Sequence, residues 1–308
     1  MKQLADYFVF LVCRLLFAAI QAISIETAQR ISRPLVWLAV DVLRIRHDVL
    51  DENLRHAFPQ LRADAVNRLV RRHWEHLFLM IIEIAHAERK IHLTNWRNYI
   101  RFRAKRELMQ HLLSDRPTVL LSGHFGNFEV GGQVLGKFGI PTFTIARPWD
   151  NPYLDRFINS FRSANGQSIL PKKGSAKIAE QSMNDGAALV VLGDQAAGRK
   201  GIWVDFFGRP ASTHKAMALY SLSYKAPMVV TYTQRLKKPL TFEVGCEASV
   251  DPASGADTCR DVRQLTVWYT EQLETAVRRA PEQYWWLHRR WKHPDKWRRR
   301  KTKNKRAA

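Results

Sequence analysis

Beyond Pro117 the chain alternates short apolar runs with stretches of helical length, and this alternation constrains the fold more than any other feature. Residues 118–122 (TVLLS), 142–146, 187–192 (AALVVL), 227–233 and 240–244 read as strands. Residues 127–138, 151–164, 175–184, 213–224 and 261–279 read as helices. A strand that is apolar throughout must be covered on both faces, and strands separated by helices are joined by crossovers. The expected fold class is therefore α/β, a largely parallel central sheet flanked by helices. Upstream, residues 26–46 and 63–88 carry helical apolar spacing. Residues 53–60, ending at Phe58 and Pro59, read as a turn, so the first third is mainly helical.

Residues 7–25 are apolar and nearly long enough to span a bilayer, although Arg14 stands in their middle. An arginine at mid-membrane costs about 2.5–3.5 kcal/mol on insertion scales, which puts the segment near the spanning threshold. No small-residue cleavage site follows, so an uncleaved anchor or an interfacial helix suits it better than a signal peptide; a helix covering the core is the alternative. The expected division is residues 1–25 as a membrane anchor or interfacial helix, 26–296 as the main domain and 297–308 as a basic tail. Lysine plus arginine number 49 against 28 acidic residues, a net charge of +21, which points to a large anionic partner. Nucleic acid, anionic lipid and an acidic carrier protein all fit that charge. The three cysteines, Cys13, Cys246 and Cys259, form no CxxC and no zinc-ligand spacing, so reduced thiols and no metal are expected.

The segment SGHFGNFE, residues 122–129, is the main candidate for chemistry. A buried strand ends there, glycines allow a tight turn, and a helix starts near Asn127. The ends of strands in α/β sheets are where such folds place their sites. A neutral imidazole at His124 is suited to take a proton from a hydroxyl near pH 7. Glu129, five residues on, is expected to fix its tautomer. The amides of the helix start could stabilise an oxyanion. Spacing by itself is weak, since eleven histidines and 28 acids in 308 residues produce about one such pair by accident. His47 and Glu52 share the separation, but without a strand or glycines before them they read as surface residues. Context singles out His124 and Glu129.

The chain resembles the bacterial lipid A biosynthesis acyltransferases, the lauroyl/myristoyl family within the lysophospholipid acyltransferase-like superfamily. The resemblance covers nearly the whole chain. It is carried by Asn53-Leu with Phe58-Pro59, GHFGNFE at 123–129, ARP at 146–148, GDQ at 193–195, DFFGRP at 205–210 and PEQYWWLHR at 281–289. It implies a glycerolipid acyltransferase-like fold and transfer of an acyl chain from acyl carrier protein or coenzyme A to a hydroxyl of a membrane lipid. The family's usual acceptor is a lipid A precursor, and no metal or organic cofactor takes part. The setting implied is the inner membrane, with the site on its cytoplasmic side. His124 and Glu129 match the family's HxxxxE motif. Phe128 stands where the family more often has tryptophan.

Further substrate-binding candidates are Arg147, Arg162, Asp194 and Arg209. Arg147 and Arg162 either contact phosphates or the carrier arm, or form surface ion pairs; Arg162 matches an arginine that recurs in the family. Asp194 is either a second acid in the cleft or a loop cap. Arg209 resembles a loop residue that closes over substrate, and Thr213 is expected to cap the next helix, with His214 in its first turn. The aromatic, basic run 284–293 suits a membrane interface, stacked nucleic-acid bases, or plain core packing of Trp285, Trp286 and Trp291. Two rival functions stay open: a basic nucleic-acid-binding protein, and a catalytically silent lipid-binding relative.

Overall fold

The computed structural model describes residues 1–164 and 166–292. The helical first third comprises α1 (Lys2–Ala22), α2 (Ile25–Trp37), α3 (His47–Ala57) and α4 (Ala63–Lys90). The expected turn at residues 53–60 is only partly right. Its first half is the last turn of α3, whose face of Val49, Leu50, Asn53 and Leu54 is buried, and the chain leaves the helix at Phe58 before Pro59.

Downstream come β1 (Ile100–Arg103), α5 (Lys105–Leu112), β2 (Thr118–Ser122), α6 (Phe128–Lys137), β3 (Thr142–Ala146), α7 (Pro152–Ser163) and β4 (Gln167–Pro171). They are followed by α8 (Ala176–Asn184), β5 (Ala188–Leu192), the hairpin β6 (Ile202–Phe206) and β7 (Arg209–Thr213), α9 (Ala216–Ser223), β8 (Met228–Arg235), β9 (Phe242–Val250) and α10 (Val262–Arg279). Seven strands form one sheet in the order β1-β9-β8-β2-β5-β3-β4. From β8 to β4 every pairing is parallel. Central β2 is buried at all five positions, as strands covered on both faces must be.

The exception to parallel order is β9, antiparallel to β8 and carrying β1 as its parallel outer neighbour. Only residues 236–241 join β8 to β9, too few for a crossover, so the chain must turn straight back. β9 also runs well past the expected 240–244. Four strands were not expected: β1 and β4 are sheet edges with partly exposed, polar sequences, and β6 and β7 form a separate two-stranded ribbon. Thr213 caps no helix; it ends β7, is fully buried, and accepts a hydrogen bond from Arg290 Nη2 at 2.6 Å.

α1 has no buried residue and exposes Phe8, Leu15 and Leu16 at 60% or more. Among the described residues it is the one helix long and apolar enough to cross a membrane. It is tied to the sheet domain at both ends. Asn151 Nδ2 donates to Asp6 O at 2.7 Å and Gln21 Nε2 to Ala85 O at 2.9 Å. Between them Phe10 and Phe17 meet Phe157, whose ring also carries the Arg14 guanidinium at 4.8 Å. The one cation of the apolar stretch is thereby given an aromatic partner. At the other end of the chain Tyr284 and Trp286 are core residues, and Trp291 stacks on Phe206, so the aromatic run is used for packing. His293 and the basic tail 297–308 lie outside the described residues.

Candidate active site

β2 and β5 are hydrogen-bonded neighbours in a register that sets Ser122 against Leu192. Two residues beyond each strand, at the carboxyl end of the sheet, stand His124 and Asp194. Equal spacing past a shared register brings them face to face. His124 Nδ1 lies 2.8 Å from Asp194 Oδ1, and the His124 backbone N–H donates to Oδ2 at 2.9 Å. With both carboxylate oxygens accepting, Nδ1 carries the proton and Nε2 keeps its lone pair. Gln195 Nε2 sits 3.2 Å from that nitrogen.

The electrostatics follow from burial and pairing. Burial alone would raise the Asp194 carboxyl, but the charge of His124 and the two bonds from it outweigh this and hold Asp194 at about 2. For His124 burial is again the largest influence and favours the neutral ring. The charge and hydrogen bond of Asp194, with a smaller contribution from Glu129, override it and leave the imidazole above its usual value. The buried Tyr284 hydroxyl also faces Asp194. His288, held neutral by burial at about 4, accepts the Ala196 N–H at 3.0 Å and so fixes the loop just after Asp194.

Glu129 does not orient His124, contrary to the expectation from spacing. It sits in the first turn of α6 and faces α7, where Arg162 donates through Nε at 3.0 Å and Nη2 at 2.5 Å. Both side chains are about one-fifth exposed. The ring position that Glu129 was expected to fill is held by Asp194, which reaches it from a neighbouring strand. Arg162 is thus held to Glu129 and, among the described residues, touches the His124 region only through it. Arg147, just past β3, is 79% exposed and pairs with Asp150 at 3.1 Å; Arg209 begins β7 and reaches Glu52 only at 4.0 Å. Neither makes a contact with His124 among the described residues, and both are surface ion-pair residues here. Asp194 is the acid that the structure places against His124. Gln195 ends the GDQ segment at 193–195, and no spacing in the sequence marks it as a neighbour of His124.

A buried polar frame holds the motif. Gly126 is at φ +62, and a Cβ there would come 1.9 Å from Thr233 O. Asn127 caps α6 through Val130 N and donates to Glu83, itself fully buried and paired with Arg235 at 2.5 and 2.7 Å. A buried charge pair of this kind is tolerable because further donors, here Asn127 Nδ2 and Leu240 N, satisfy the carboxylate.

The sequence model for bacterial lipid A biosynthesis acyltransferases matches residues 1–293 of this chain. The chain belongs to that family. Among proteins to which this acyltransferase is similar, the lipid A biosynthesis palmitoleoyltransferase of Escherichia coli K12 is 24% identical over 263 residues, covering 83% of this chain and 81% of the relative. The lipid A biosynthesis lauroyltransferase of the same organism is 25% identical over 265 residues, covering 83% and 82%. A lipid A biosynthesis acyltransferase of Haemophilus influenzae is 25% identical over a shorter stretch, 55% of this chain. Family membership makes the chain an acyltransferase, with a bound imidazole and carboxylate at the place where its sheet opens.

Proposed function

We propose that this acyltransferase moves a fatty acyl chain from a thioester of acyl carrier protein or coenzyme A to a hydroxyl of a lipid A precursor. The transfer takes place at the cytoplasmic face of the inner membrane. The observation that carries the reading is the 2.8 Å bond between His124 Nδ1 and Asp194, because it puts the proton on Nδ1 and leaves the Nε2 lone pair to act as base. The acceptor hydroxyl gives its proton to Nε2 while its oxygen attacks the thioester carbonyl carbon. Asp194 stabilises the imidazolium that forms. The tetrahedral intermediate collapses, the carbon–sulfur bond breaks, and the departing thiolate takes the proton from Nε2. First-turn amides of α6, which lack helical acceptors, and the Gln195 amide are the donors available to the oxyanion. The Glu129–Arg162 pair positions substrate beside the ring, and α1 anchors the enzyme to the bilayer. The scheme invokes no metal or cofactor.

The test is transfer of labelled acyl groups from acyl carrier protein and from coenzyme A into bacterial lipid extract. His124→Ala should lower turnover about 10²–10⁴-fold, the usual contribution of a general base. Asp194→Asn should fall in the same range, since an amide leaves the wrong tautomer. Labelling indifferent to both substitutions would sink the assignment, and the labelled product identifies the acceptor.

A further inference from the structure

A concavity of about 790 Å3 lies beside the active site and is lined by an unusual concentration of cations. Arg97 and Arg101 approach from the segment around β1, Lys237 and Lys238 from the turn after β8, and Arg72, Arg235 and Arg279 from below. The last three are neutralised, by Glu282, Glu83 and Glu247 respectively. The other four have no carboxylate within ion-pair reach among the described residues; Arg97 rests over the Trp96 ring at 4.6 Å. Four unneutralised cations around one concavity repel each other and leave it strongly attractive to an anion.

The groove is joined to the catalytic loop. Residues 283–285 run antiparallel to residues 124–126: Gly126 N–H donates to Gln283 O, and Trp285 N–H to His124 O, each at 2.9 Å. Gln283 forms part of the groove wall while Trp285 flanks His124. Two extended residues separate them, about 7 Å. The groove wall and the flank of His124 therefore lie on one short segment, within the span of a single substrate molecule.

Resting on the acyl-transfer reading, we propose that this groove is a substrate subsite for a phosphate ester, held by Arg97, Arg101, Lys237 and Lys238. Guanidinium forks and lysine point charges match phosphate oxygens, and the volume suits a phosphate-bearing group of substrate size and exceeds what one small ion fills. The phosphate comes either from the acceptor headgroup or from the donor's phosphopantetheine or nucleotide.

The experiment compares wild type with Arg101→Gln/Lys237→Gln/Lys238→Gln, all exposed positions, in the full-length detergent-solubilised enzyme. The KM for the substrate that bears the recognised phosphate should rise at least tenfold, with kcat at saturation within twofold. An acceptor stripped of phosphate, and an acyl-pantetheine lacking phosphate, distinguish the two sources. Whichever phosphate is recognised, its removal should raise the wild-type KM and leave the variant indifferent. Unchanged KM for donor and acceptor alike overturns the proposal. Calorimetric titration with inorganic pyrophosphate needs no turnover and so separates this inference from the transfer reading. Binding by wild type and its loss in the triple variant support the subsite. Equal binding, or none to either protein, overturns it.

Discussion

His124 has two nitrogens with different duties, and the surroundings assign them. Nδ1 is committed to Asp194, so the acidity of the ring depends on a carboxylate that is ionised at every working pH. In wild type kcat/KM should rise with pH through a His124 value above the ordinary histidine one, because Asp194 stabilises the protonated ring. Asp194→Asn removes the negative charge while burial stays, so the same limb should move to lower pH as the rate falls. A pH–rate profile of the residual activity checks the direction. Glu129 and Arg162 form a second unit through two hydrogen bonds. Replacing either by glutamine removes the ion pair and leaves the partner's charge uncompensated, so the losses in kcat/KM for Glu129→Gln and Arg162→Gln should not add. The double variant should reveal a coupling of about 1–3 kcal/mol in a double-mutant cycle.

At the scale of elements, the site is a junction of β2, β5 and α6 that rests on α4 and the end of β8. The turn between β2 and α6 works only because residue 126 lacks a side chain: its backbone is left-handed and the Thr233 carbonyl is in the way of any Cβ. Gly126→Ala should therefore destabilise the protein by at least about 2 kcal/mol, the strain of a forced left-handed residue plus a backbone shift. Activity should fall further than stability, since the same shift displaces His124, two residues earlier. Urea melts alongside turnover measured at a temperature where the variant is folded check both parts.

Across the whole molecule, charge is the dominant property, and acid should act on it through buried histidines before it reaches the carboxylates. His73 is fully buried and lowered to about 4, so between pH 6.5 and 4 the unfolded chain binds a proton that the folded chain refuses. Stability is therefore lost as pH falls through that window, by on the order of 3 kcal/mol for this residue. His288 adds to the loss in the same direction. Asp194 acts with the same sign in a lower window: its contribution is present above the ordinary carboxylate range and is lost only as pH falls toward about 2. Urea midpoints at pH 7 and pH 5 should differ in wild type, and the difference should shrink in His73→Gln. Equal pH dependence in the two proteins would remove His73 from the account.

Periodicity made the strands β2, β3, β5 and β8 and the helices α4, α6, α7 and α10 legible, because apolar residues repeat in each at the spacing of its element. It also placed His124 at a strand end before a capped helix. The edge strands β1 and β4 and the β6–β7 ribbon carry no such signal, since one side of each is open and their residues are mixed. The partner of His124 lay beyond any local reading. Asp194 is 70 residues away, and only the β2–β5 register brings it to the ring, while the nearer acid, Glu129, faces α7 and Arg162. Local chain order fixes which elements form and where they end. Pairing between distant strands decides which side chains meet, because a hydrogen bond depends on position in space and not on separation along the chain.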